Sequence, residues 1–321
     1  MTISDTARDA LEPGTIPELI REPHNNYTHI LVLRELKSHA VFTTNGQDAD
    51  VATVTINDGE ESIEYAPGLM FMRKQTGSDR RFGKALQRDL LGIEDTMNVN
   101  RMNQHSPESV LYGSAASESE QAVSVTSRVM YDTAFSVRDA SAAIDEKFQN
   151  APGDEYAKES TTAIREPDFF EPGTLFPSVV TLRDATPEEV AFVLGITLQN
   201  KRYGATTTRL GRVANHVLGV YVGREEGPAN LEISQALVQR FAEEKGELDR
   251  VVYASALDAE QAKTYTREAF DELCTDGERP LAIDSIGDEA LADLRVAATD
   301  GLKEVLEVQQ PRAEAFIDDA E

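Results

Sequence analysis

The chain has 321 residues, 57 acidic against 31 basic side chains and a formal net charge of -26. Its single Cys excludes an intrachain disulfide and a cysteine-built zinc site. No stretch approaches the ~18 apolar residues of a membrane span and the opening lacks a charged-then-apolar signal pattern, so a soluble, cytoplasmic protein without membrane contact is expected.

The length allows roughly one to three domains. A pI near 4.5 and the absence of Trp match the carboxylate-rich surface of a protein from a salt-loving cytoplasm, where carboxylates hold hydrated cations.

In chain order, residues Thr28 to Thr44 are rich in Val, Leu, Phe and Thr and run into Asn45-Gly46, a type I′ turn signal. Val51 to Ile56 follows and ends at Asp58-Gly59, which reads as an antiparallel β opening. Arg80 to Leu91 spaces Phe82, Leu86 and Leu90 for a helix with one packed face and cations reaching outward. Val110 to Tyr112 reads as a short strand.

From about Ser117 to Pro177 the chain becomes rich in small polar residues, with a strand pair expected around Val123 to Val137. Pro152, Pro167 and Pro172 then discourage long helices, so this stretch reads as an irregular insertion. Phe176 to Asp184 is a strand. Thr186, Pro187 and Glu189 form an N-cap, first-position proline and capping box, and Asn200 marks the end of that helix. Val213 to Val222 is a further strand, followed by helices over Leu231 to Lys245, Ala259 to Cys274 and Glu289 to Val308. Leu291, Leu294, Ala298, Leu302 and Val305 line one stripe of the last.

Charge is segregated along this order. Lys201 to His216 carries Lys201, Arg202, Arg209 and Arg212 without an acid, and Phe71 to Arg88 holds six cations against Asp79 alone. From Arg224 onward 25 acidic residues face 10 basic ones. Two basic islands in so acidic a chain point to an anionic partner. Arg forks, threonine hydroxyls and an aromatic ring at Tyr203 suit a nucleic-acid backbone with unpaired bases. No phosphate-loop, nucleophile-elbow or HExxH pattern competes. Asp48 and Asp50, after the Asn-Gly turn, are weak candidates for a base or metal ligand.

The pieces LRELKSHAVFTTNGQ, RKQTGSDRRFGKALQR, VLYGSA, NAP, FPSVVTLRD and KRYGATTTRLGRVANH resemble, in order, the Csc2 family, the Cas7-type backbone subunit of the CRISPR type I-D Cascade complex. The resemblance runs from about Thr28 to Leu237 and is most specific in FPSVVTLRD and YGATTTRLGRVANH. It implies an α+β fold: an RRM-like (ferredoxin-like) antiparallel sheet core with lid elements over 1–116 and 176–240, a thumb-like insertion over 117–175 and an acidic helical C-terminal region over 241–321.

The implied partners are CRISPR RNA, further copies of the chain in a filament, other type I-D Cascade subunits and, through the guide, target DNA or single-stranded RNA. The implied RNA-binding residues are Arg34, Lys37, Arg73, Lys74, Arg80, Arg81, Lys201, Arg202, Tyr203, Arg209 and Arg212. Family members carry cysteines before the LYG motif; Asn98 to Gly113 has none here, so neither zinc nor another cofactor is expected. Related subunits in RNA-targeting complexes cut RNA with a loop Asp, which keeps Asp48 and Asp50 in view.

Salt limits this reading. Neutralising about eight phosphates at ~0.7 ions each costs roughly seven powers of ten in affinity between ~0.15 M and ~3 M salt. Stacking by Tyr203 or Phe42 and neutral hydrogen bonds from Thr206 to Thr208 are then expected to carry much of the affinity. Two alternatives stay open: a metal-dependent RNase, and an acidic scaffold whose basic islands dock neighbouring copies.

Overall fold

The computed structural model describes residues 2–44, 46–57, 59, 62–98, 101–115, 123–145, 148–149, 164–204, 211–276 and 279–320. Its spine is β1 (Tyr27–Leu36), a ten-residue strand of β-branched and leucyl residues that is buried along nearly its whole length. The next elements are a hairpin of β2 (Val54–Asn57) and β3 (Ser62–Tyr65), then β4 (Pro67–Met70) and the helix α1 (Met72–Leu91). A short helix α2 (Pro107–Tyr112) precedes β5 (Val129–Tyr131) and β6 (Ala134–Asp139). Strand β7 (Leu175–Arg183), helix α3 (Pro187–Gln199) and strand β8 (Val213–Gly223) complete the central part.

Among the described residues the main sheet has the order β9–β8–β1–β7–β5, antiparallel throughout, where β9 is Ile283–Ser285. Successive β1 side chains point to opposite faces. Ile30 and Val32 enter a cluster with Val190, Val193 and Ile196 of α3, while Leu31 and Leu33 meet clusters containing Ile233, Leu237, Phe241 and Phe270. Helices therefore cover both faces, which is why β1 lacks polar alternation.

The C-terminal helices supply both covers. Helices α4 (Asn230–Lys245), α5 (Leu248–Val252) and α6 (Ala259–Thr275) lie on the Leu31/Leu33 side. Helices α7 (Asp288–Ala298) and α8 (Leu302–Asp318) pack with α3 on the other. The expected boundary at 240/241 thus cuts α4, and the acidic helices share the core rather than standing apart from it.

Other expectations need correction. Val110 to Tyr112 is helical, because Ser106 caps the turn by accepting from the Ser109 N–H and Pro107 occupies its first position. Val123 to Val137 is not a strand pair: β5 joins β7 in the main sheet and β6 pairs with β4. Glu289 to Val308 is two helices, interrupted at Thr299–Gly301, yet the apolar stripe Leu291, Leu294, Ala298, Leu302 and Val305 is buried across the break. The capping box at Thr186 and Glu189 and the end at Asn200 stand as read from the sequence.

Candidate nucleic-acid interface

Four element ends converge at one pole of the sheet: Leu36 of β1, Val213 of β8, Asn200 after α3 and Met72 of α1. Backbone hydrogen bonds stitch them together. The Lys37 N–H donates to the Arg212 carbonyl at 2.8 Å and the Val213 N–H to the Lys201 carbonyl at 3.0 Å. Ser78 Oγ of α1 donates to the Arg202 carbonyl at 2.5 Å, and Ser38 Oγ accepts from the Arg212 N–H at 2.9 Å. The two basic islands, remote in sequence, therefore share one rim.

Exposed on or beside that rim are Lys37, Arg73, Arg81, Lys201, Arg202 and Arg212, with Lys74 half-buried. Arg73 Nη2 donates to Thr44 Oγ1 at 2.7 Å and Lys74 Nζ to the Thr43 carbonyl at 2.6 Å, which ties the start of α1 to the loop after β1. Arg209 and Thr206 to Thr208 lie outside the described residues.

Three of the expected RNA contacts are turned into the protein. Arg34 is fully buried and donates through Nη1 to Asn215 Oδ1 at 2.8 Å and Tyr203 Oη at 3.2 Å. Tyr203 is also fully buried; its hydroxyl donates to Asp79 Oδ1 at 2.6 Å. Arg80 pairs with Glu108 at 2.6 Å and donates to the Gly113 carbonyl at 2.8 Å. Phe42 sits among Phe170 and Phe176 in the core, so neither it nor Tyr203 presents a ring to a base. Lys84, expected to reach outward, is sealed between Asp95 and Glu108. These polar groups carry their own buried partners, and burial without such partners would cost several kcal/mol.

The electrostatics of the rim follow its crowding. Burial, helped by Arg73, pulls the Lys74 ammonium below its ordinary pKa while Asp50 opposes. Burial and then Arg212 do the same to Lys201. Burial works to raise the Glu35 carboxyl, but hydrogen bonds from Lys37 and His216 outweigh it and hold the group below the usual value. Asp50 accepts from Thr44 Oγ1 at 2.7 Å, and Asp48 is exposed nearby in sequence. Among the described residues no three His, Cys, Asp or Glu side chains are grouped to hold a metal ion.

Two aromatic groups at this pole were missed from the sequence. Phe71, half-buried, lies under the Arg73 guanidinium at 5.1 Å, and half-buried Phe169 meets exposed His39 edge-on at 6.1 Å. Only the fold distinguishes them from Phe42 and Phe170, which point inward.

A sequence profile described as Csc2 Crispr matches residues 15–284. The chain belongs to the Csc2 family of CRISPR proteins. A crystal structure of Thermofilum pendens Csc2 aligns with 100% of this chain and 91% of that chain at 15% identity and a TM-score of 0.61, which shows a shared fold. A chain of a CRISPR RNA-guided surveillance complex aligns over 80% of this chain and 87% of that one at 10% identity, with a TM-score of 0.47 that is too low to carry an argument. No curated protein matches the chain. For this Csc2-family chain, the sequence resemblance and the profile match agree on the family.

Proposed function

We propose that the chain is a guide-RNA-binding backbone subunit of a CRISPR effector complex of type I-D, working in the cytoplasm of a halophile. Several copies would line the RNA, each gripping a stretch of phosphate backbone and leaving bases free to pair with target DNA or single-stranded RNA. Family membership supports this reading, and one observation carries it. In a chain of net charge -26, cations from three separate stretches, Lys37, Arg73 with Lys74, and Lys201, Arg202 with Arg212, are drawn to one pole. Phosphate is the anion such a surface suits, and base pairing then supplies sequence specificity.

The strand order supports the RRM-like reading of the core. From β1 through α1, β5, β7, α3 and β8 the chain runs β-α-β-β-α-β, with β8–β1–β7–β5 as neighbours, an order in keeping with a ferredoxin-like core. The rim lies at one end of this sheet, and the thumb-like role is assigned to the chain within 117–175 outside β5 and β6.

Purified chain, expressed with a repeat array and partner subunits in high potassium chloride, is expected to retain short CRISPR-derived RNA. The variant Lys201→Ala/Arg202→Ala/Arg212→Ala is expected to lose it. Bound RNA should remain uncut with magnesium; cleavage abolished by Asp48→Ala or Asp50→Ala would favour the RNase reading instead. Self-assembly that survives nuclease treatment without any RNA would favour the scaffold.

A further inference from the structure

The rim poses a physical problem that the phosphate reading does not answer. Arg202 and Arg212 face one another across an antiparallel bridge, with Lys201 alongside. Opposed residues in such a pair have Cβ atoms about 5 Å apart, and like charges placed there repel. Burial and, after it, Arg212 disfavour the charged form of Lys201. That repulsion works against closure of the neck.

Beneath it lies an unusual buried constellation. Asp79 of α1, fully buried, accepts from Tyr203 Oη at 2.6 Å, Asn200 Nδ2 at 2.7 Å and Tyr131 Oη at 3.0 Å. The Tyr203 hydroxyl in turn accepts from Asn215 Nδ2 at 3.1 Å and from Arg34 Nη1. Arg34 Nε and Nη2 meet no acceptor among the described residues, so this guanidinium is held by charge and packing more than by a full set of hydrogen bonds. Tyr203 also belongs to the neck itself, its N–H donating to the Gly211 carbonyl at 3.1 Å. Ser78, the residue before Asp79, holds the Arg202 carbonyl from below and accepts from Asn200. Gly211 makes the return possible: its φ is +75°, and an added Cβ would lie 2.3 Å from the Tyr203 carbonyl oxygen.

We infer that Tyr203, Asp79 and Ser78 are positioning residues, a buried pin that holds the like-charged neck of Lys201, Arg202 and Arg212 closed so that its cations meet phosphate already grouped. The inference rests on the proposed RNA reading for its purpose but not for its mechanism. A grouped set of cations loses less side-chain and backbone entropy on binding than a set that must first be gathered. The pin therefore acts through the rim and touches no ligand.

The test separates mechanism from purpose. Amide hydrogen exchange of Tyr203 and Val213, whose N–H groups close the neck, would be measured in the full chain, in Tyr203→Phe and in Ser78→Ala. Each variant should exchange at these two amides roughly tenfold faster, the rate equivalent of ~1.4 kcal/mol, while β1 and β7 amides keep their protection. The same variants in a Lys201→Ala/Arg212→Ala background should show most of that increase removed, because nothing then pushes the neck apart. Equal opening in both backgrounds, or no opening in either variant, would overturn the inference.

Binding of a single-stranded RNA oligonucleotide across a salt series is the second arm. Tyr203→Phe is expected to weaken binding with a lower salt slope although every cation is retained. An unchanged slope would refute the pin's role in grouping the cations. Wild-type chain that binds no RNA would remove the proposed function while leaving the exchange result to stand or fall alone.

Discussion

Adjacent arginines on α1 provide a sharp contrast. Arg80 and Arg81 are consecutive and chemically identical, yet the Arg80 side chain retains only 17% of its exposure while Arg81 faces solvent. Arg80→Ala removes the pair with fully buried Glu108 at 2.6 Å and leaves the Gly113 carbonyl without its 2.8 Å donor. Breaking a buried ion pair costs about 3–5 kcal/mol. Glu108 keeps Lys84 at 2.6 Å, so the lower figure applies, about 3 kcal/mol. That corresponds to a drop of roughly 4–5 °C in Tm for a chain of this size. Differential scanning calorimetry in high potassium chloride reads the stability, and RNA titration at several salt concentrations reads the phosphate contacts. Arg80→Ala should lower Tm and leave the salt slope unchanged. Arg81→Ala should leave Tm unchanged and lower the slope by about 0.7, the loss of one phosphate contact on a single strand. A reduced slope with unaltered Tm in Arg80→Ala would refute the inward assignment and return Arg80 to the RNA-facing set.

Two further outcomes test the fold. Burial lowers the His29 pKa to about 4, despite a bond from Nε2 to the Glu225 carbonyl that opposes the shift, so the folded protein holds this ring neutral. Between pH ~6.5 and ~4 the unfolded chain takes up a proton that the folded chain refuses, so stability falls with pH by up to about 3 kcal/mol across that window. Urea titrations at pH 7.5 and 4.5 should show this component vanish in His29→Gln; an undiminished pH dependence would place its origin elsewhere. Gly195 on α3 packs so closely on α7 that an added Cβ would lie 2.4 Å from the Ala298 carbonyl oxygen. Gly195→Ala should cost about 2–3 kcal/mol by forcing the helices apart. Gly77→Ala on α1, whose nearest neighbour is the flexible tip of Arg81 at 3.4 Å, should be neutral or stabilising, so equal denaturant midpoints for the two variants would contradict the packing.

The local sequence was sufficient wherever structure follows from neighbours along the chain. Thr186, Pro187 and Glu189 encode their helix start because capping is satisfied within one turn, and the uneven distribution of charge is a property of the sequence itself. Tertiary structure decided which cations serve the surface. Arg34, Arg80 and Lys84 look like rim residues until Asn215, Glu108 and Asp95, each outside the cation's own strand or helix, receive them. Tyr203 resembles a stacking ring until Asp79 claims its hydroxyl. The joining of two separate basic islands at one pole was likewise beyond the sequence pattern, because it depends on where α1, α3 and β8 end once the sheet has assembled. A guanidinium's partner is fixed by packing geometry across the fold, and periodicity within one segment carries no record of it.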